Sequence, residues 1–261
     1  MVLAILQARM SSTRLPGKVL RPIRGRPMLH LQIERLLRCG AVDRLVVATS
    51  VQPDDDPIVS ACTNVGVDCR RGPLNDVLDR FRVVAEAYAP DHVVRLTADC
   101  PLADQQVIDD LIALHLAGGY DYTTNALRRT FPRGLDCEIM TRDALARAAS
   151  QASSPYEREH VTPFLYRANS GFRIGNLTCA LDLSFLRWTV DTLEDFRFVE
   201  AVYGELYASK PKFTMYDVIQ LQFERPLLRD MNASGQSSED RQRAERFWAD
   251  RAKRTMVGET P

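Results

Sequence analysis

Between Arg9 and Arg26 the chain carries six basic residues and no acidic one, although its Lys+Arg 34 and Asp+Glu 34 cancel overall. This excess sits in Gln7-Ala8-Arg9-Met10-Ser11-Ser12-Thr13-Arg14-Leu15-Pro16-Gly17-Lys18, directly after an apolar run. Ser11, Ser12 and Thr13 can turn hydroxyls and backbone N–H groups toward phosphate oxygens, and Gly17 permits a close backbone approach. Arg14 adds a bidentate fork for phosphate, and Lys18 a point charge able to follow a departing phosphoryl group. The pattern is not a Walker A loop, because no G-x-x-x-x-G-K-[ST] occurs and Lys18 follows the loop's only glycine. The bland alternative is a solvated basic loop beside a strand.

Phosphate chemistry also calls for a hard cation. Mg²⁺ takes one or two carboxylates and completes its shell with substrate phosphates and water. Asp99, in Ala98-Asp99-Cys100-Pro101, follows a strand-like run and precedes a proline that stops the strand. Asp191, in Trp188-Thr189-Val190-Asp191, ends a second such run. Taken singly, either aspartate reads as a turn residue or a helix N-cap, and Asp191 in particular as the cap of a helix running on from Leu193. Asp54-Asp55-Asp56-Pro57 reads as a helix start rather than a metal motif. Of the four histidines only His160 lies in a dense polar cluster, Glu157-Arg158-Glu159-His160, which makes it a candidate for acceptor contact.

The elements that must position these residues alternate. Val2 to Gln7, Arg44 to Ser50, Val65 to Arg70 and His92 to Thr97 read as strands. Helical periodicity separates them over 27–37, from Asp56 onward and over 75–88. Continuous apolar strands between helices indicate a mostly parallel sheet covered on both faces, with ligands at the carboxyl ends of its strands. The rhythm breaks over 123–181, which reads as an insertion. It resumes with Leu186 to Val190 as a strand, Leu193 to Ala208 as a helix and Thr214 to Glu224 as a further helix. The expected division is one α/β domain over 1–227 and a peripheral polar segment over 228–261.

With 261 residues and 45% hydrophobic content the chain can bury a full core, and its zero net charge offers no field for a nucleic acid or an anionic membrane. The six scattered cysteines form no C-x-x-C pair and are expected as free thiols. A charged loop follows after only six residues and no apolar run approaches the ~20 of a membrane span, so a cytoplasmic location is expected.

The loop QARMSSTRLPGKVL resembles the signature of the sugar-acid cytidylyltransferases, the CMP-Kdo and CMP-sialate synthetases. RGPLNDVLDRF (71–81), VVRLTADCPL (93–102), FPRGLDCEI (131–139), EREHVTPF (157–164) and LRWTVDTLEDF (186–196) are similar to the branch named for spore coat polysaccharide biosynthesis protein F. The resemblance implies a nucleotide-diphospho-sugar transferase-like three-layer α/β/α sandwich whose inserted region, 123–181 here, builds a homodimer. It implies that Arg14 and Lys18 hold the triphosphate of CTP and act with Asp99 in catalysis. Gln7, Ala8 and Arg9, with Ser11 to Thr13 and Gly17, would line the nucleotide, and Asp99 with Asp191 would bind Mg²⁺. Arg71, Asp76 and Arg80 fall where the family shapes its base and ribose pocket. The implied reaction transfers CMP to a small acidic acceptor with loss of pyrophosphate. On the acceptor side the sequence departs from the synthetases, and Arg128, Arg129, Arg133 and His160 are the candidates for an anionic acceptor. Two other readings stay open: a glycosyltransferase of the same fold using a nucleotide sugar, and a non-catalytic binding relative.

Overall fold

The computed structural model describes residues 1–256. Its central sheet has seven strands: β1 (Val2–Gln7), β2 (Arg44–Ser50), β3 (Asp68–Gly72), β4 (His92–Thr97), β5 (Tyr122–Thr124), β6 (Glu138–Thr141) and β7 (Ile174–Asn176). In space they lie in the order β3-β2-β1-β4-β6-β5-β7. Neighbours β3, β2, β1 and β4 are parallel, β6 runs against both β4 and β5, and β7 is parallel to β5.

Period-two alternation explains why β1 is apolar throughout. Ala4 and Leu6 pack into one core, while Leu3 and Ile5 pack into the core on the opposite face. Helices α1 (Met28–Leu36), α2 (Asp56–Asn64) and α4 (Gln105–Gly118) bury their apolar stripes in the first core, as do α8 (Leu193–Leu206) and α9 (Met215–Glu224). Helices α3 (Val77–Tyr88), α5 (Arg142–Gln151) and α7 (Pro163–Tyr166) cover the second, joined by the short α6 (Pro155–His160). The architecture is the expected three-layer α/β/α sandwich. Helices α10 (Pro226–Asp230) and α11 (Ser238–Met256) complete the described chain.

Three expectations change in detail. Leu186 to Val190 is not a strand of the sheet. Its backbone is satisfied by loops instead: Trp188 N–H donates to Arg133 O at 2.6 Å, and Val190 N–H donates to Asp99 O at 2.8 Å. The third strand begins at Asp68 rather than Val65, because Val65 N–H closes α2 onto Cys62 O and Gly66 takes φ 68° in the turn. The stretch 123–181, read as an insertion, contributes to β5 and supplies β6 and β7 of the same sheet. All six cysteines are free thiols. Among the described residues no helix is long and apolar enough to cross a membrane.

Candidate active site

A cleft of about 370 Å³ opens over the carboxyl ends of β1 and β4. The loop after β1 forms one wall, α3 contributes Val77 and Arg80, and α6 contributes Glu159 and His160. Asp99 and Asp191 line its floor.

The basic loop folds back on itself. Met10 O accepts both Ser12 N–H at 2.8 Å and Gly17 N–H at 3.0 Å, and Leu15 N–H donates to Ser12 Oγ at 3.3 Å. Gly17 holds φ 67°, a left-handed conformation that a side chain would strain. Asp55 anchors the loop from behind: its buried carboxylate accepts Met10 N–H at 2.7 Å and also takes Ser50 N–H and its hydroxyl. Burial would raise this carboxyl, but those hydrogen bonds outweigh burial and hold it below the usual range. Asp56 pairs with Arg71 at 2.6 Å. Asp55 and Asp56 therefore serve the scaffold.

Lys18 draws the site together. Its buried ammonium lies 3.3 Å from Asp99 Oδ2, 3.2 Å from Asp191 Oδ1 and 2.6 Å from Val190 O. Arg14, largely exposed, reaches Asp191 Oδ1 at 3.0 Å, and Arg187 donates to Asp191 Oδ2 at 2.8 Å. Thr97 Oγ1 donates to Asp99 Oδ1 at 2.6 Å. Burial alone would raise Asp191, but Arg187, Lys18 and Arg14 together hold it below the ordinary carboxylate range.

Neither aspartate is a helix cap. Thr192 caps α8 in a capping box with Asp195, and Asp104 caps α4. The spacing Thr192-x-x-Asp195 is the signal that separates Asp191 from the cap. No local sequence signal marks Arg187, because its role depends on the turn that folds it back onto Asp191 and Asp195. Both carboxylates line the cleft, and two oxygen-only side chains could hold a hard divalent cation that completes its shell from phosphate and water. Among the described residues no group of three or more His, Cys, Asp or Glu is arranged for a metal.

The remaining candidates divide. Gln7, Ala8, Arg9, Ser11, Ser12, Thr13, Arg80 and His160 line the cleft. Arg80 is almost wholly buried and its Nε and Nη2 are fixed on Pro73 O and Leu74 O. Gly17 shapes the loop without lining the cleft. Arg71 turns to Ser50 O and Gln52 O, and Asp76 caps α3 while receiving a forked ion pair from Arg158. Arg128, Arg129 and Arg133 do not reach the cleft. Arg129 pairs with Asp136, while the backbone N–H groups of Arg128 and Arg133 bind Asn176 and Leu186.

Phosphate-suited backbone and cations after β1, and carboxylates after β4 and before α8, define a nucleotide-binding α/β transferase of the nucleotidyltransferase type. The sequence model described as Cytidylyltransferase matches residues 3–224. The chain belongs to the cytidylyltransferase family and is an enzyme of that class. It is 34% identical to the spore coat polysaccharide biosynthesis protein SpsF of Bacillus subtilis over 86% of this chain and 95% of that protein. It is 37% identical to 3-deoxy-manno-octulosonate cytidylyltransferase of Geobacter sulfurreducens, over 43% of this chain and 44% of the relative. A solved cytidylyltransferase from Leptospira borgpetersenii superposes with a TM-score of 0.82 at 34% identity, covering 87% of this chain and 95% of that one.

Proposed function

We propose that this enzyme transfers CMP from CTP to a small acidic acceptor, a sugar acid or a phosphonate, with release of pyrophosphate and with Mg²⁺ held by Asp99 and Asp191. The observation that carries this reading is the convergence of Asp99 and Asp191 on Lys18 within 3.3 Å, at the mouth of the phosphate-suited loop. The family and the names of SpsF and the octulosonate enzyme support CTP as donor and a surface polysaccharide as destination.

In this reading Arg14 and Lys18 take the charge of the triphosphate, and the loop backbone orients it. An acceptor oxygen attacks the α-phosphorus as the bond to pyrophosphate breaks, and Lys18 neutralises the leaving group. When bound, Mg²⁺ supplies charge neutralisation at the phosphates. Thr97 keeps one oxygen of Asp99 oriented, and Arg187 does the same for Asp191. A phosphonate attacks through an oxygen that is already ionised and needs no protein base, whereas the hydroxyl of a sugar acid must pass its proton to solvent or to the cleft's one histidine, the exposed His160. The exposed apolar side chains Leu127, Ile174 and Leu181 support a homodimer built through 123–181, which light scattering tests directly.

The test is pyrophosphate release from CTP, UTP, GTP and ATP with 3-deoxy-manno-octulosonate, N-acetylneuraminate and 2-aminoethylphosphonate, with and without Mg²⁺. Release confined to CTP, acceptor and Mg²⁺ together is expected. Asp99→Asn should cut kcat by about 10²-fold or more while keeping the thermal transition, since asparagine still accepts from Thr97. Near-normal turnover by that variant would remove Asp99 from the metal site.

A further inference from the structure

Two cations in the cleft belong neither to the loop nor to the carboxylate floor: Arg80 on α3 and Arg95 on β4. Arg95 lies on β4, on the same face as Thr97, and lines the cleft with its side chain 15% exposed. Its strand neighbours Val93, Val94 and Leu96 are buried and apolar. Directly across the sheet its register partner is Glu138 of β6. Arg95 Nη1 donates to Glu138 Oε2, and Tyr122 Oη donates to the other oxygen of that carboxylate. From the opposite side Arg95 Nε donates to Gln7 Oε1 at 3.2 Å. A chain of side chains from β5, β6 and β1 thus fixes one guanidinium over the sheet.

Such a chain is a poor way to stabilise a core, because a buried ion pair contributes no more than well-packed apolar residues would. It is a good way to hold a cation still at the edge of a cavity, since a fork whose Nε and Nη1 are anchored loses little freedom when the rest of it binds. A guanidinium has five N–H donors, and the anchors take two of them. Arg9, Arg14, Lys18 and Arg80 stand on the loop and α3 sides of the cleft, where the triphosphate and nucleoside belong. Arg95 lines the same cleft from β4, and α6 adds Glu159 and His160 to its wall.

We propose that Arg95, preorganised by Glu138 and Gln7, is the residue that selects the acceptor by binding its carboxylate or phosphonate. This inference rests on the proposed CMP transfer to an acidic acceptor. It moves the acceptor contact from Arg128, Arg129 and Arg133, which lie outside the cleft, to a cation inside it.

The experiment uses the full-length enzyme, CTP, Mg²⁺ and whichever of the three acids above gives the fastest pyrophosphate release. Arg95→Met should raise the acceptor KM by about 30-fold or more, the loss expected for a charge-assisted fork. It should leave the CTP KM and the thermal shift produced by CTP within twofold of wild type. Arg95→Lys should recover part of the acceptor affinity. Because Arg95→Met strands a buried carboxylate, the double variant Arg95→Met/Glu138→Gln provides the folding control and should show the same split between acceptor and CTP. An unchanged acceptor KM in a folded variant overturns the inference and leaves CMP transfer standing, as does a parallel loss of CTP and acceptor affinity. A wild-type enzyme that binds CTP yet releases no pyrophosphate with any of these acids overturns the proposed reaction, and the inference with it.

Discussion

Asp191 illustrates how one side chain is shaped for its task. Three cations meet its two oxygens: Lys18 and Arg14 on Oδ1, and Arg187 on Oδ2. Burial opposes ionisation, but these partners outweigh it and depress the carboxyl. With the folded value below that of the unfolded chain, about 3.9, the ionised form is secure above that value, and its contribution to stability is lost only as pH falls through the depressed one. Acid inactivation near pH 5 is therefore not set by Asp191 in the wild type. Arg187→Met removes the hydrogen bond that most lowers this group and lets burial raise it. The acid limb of the kcat/KM–pH profile should therefore move to higher pH than in wild type, so that the ratio of kcat/KM at pH 5 to that at pH 7.5 falls. Superimposable pH profiles would show that Arg187 is only scaffold.

At the scale of elements, α4, β4 and β5 are joined by a pair of histidines far from the cleft. His115 on α4 is fully buried; its Nε2 meets His92 Nδ1 at 3.1 Å and its Nδ1 meets Thr123 Oγ1 at 3.0 Å. Burial, with the charge His92 would carry, pushes His115 down to about 4. The unfolded chain, titrating near 6.5, binds a proton that the folded state refuses, so stability declines as pH drops from about 6.5 toward 4. Between pH 7 and pH 5 this one group costs about 2 kcal/mol. His115→Gln should flatten the loss of unfolding free energy over that interval by about that amount. Denaturant titrations at the two pH values measure it, and equal slopes for the two proteins would refute the assignment. The sequence exposes elements such as β1, β2 and β4 because strands buried on both faces are continuous apolar runs. It conceals β5 and β7, which are three residues long, and it makes Leu186 to Val190 look like a strand although those residues pair with loops. The loop and both aspartates of the site could be read locally. Arg95 could not, because its meaning depends on a partner 43 residues away that only the β4–β6 register supplies.

Over the whole molecule, the C-terminal segment that reads as peripheral proves to brace the proposed metal site. Asn232 Nδ2 donates to Arg187 O at 2.7 Å, and Gln236 Nε2 donates to Phe185 O at 3.1 Å. Trp188 Nε1 donates to Gln222 of α9, and Trp248 of α11 is buried in the same core as Leu186. The segment 185–191 is thus clamped between the loop after β4 and the C-terminal helices, and Asp191 is its last residue. The backbone of the basic loop is held separately by Asp55 and its own turn, and only the side chains of Lys18 and Arg14 reach across to Val190 and Asp191. Loosening the clamp should therefore separate catalysis from nucleotide binding. Trp248→Ala should cost about 3 kcal/mol, lowering Tm by about 6–12 °C in a chain of this size. Asn232→Ala removes one hydrogen bond and should cost about 1 kcal/mol. Both variants, assayed well below their transitions, should lose kcat and require more Mg²⁺ for half-maximal turnover, while the CTP-induced thermal shift in the absence of metal stays as in wild type. An equal loss of nucleotide binding would mean that the C-terminal helices stabilise the molecule as a whole and do not specifically position Asp191.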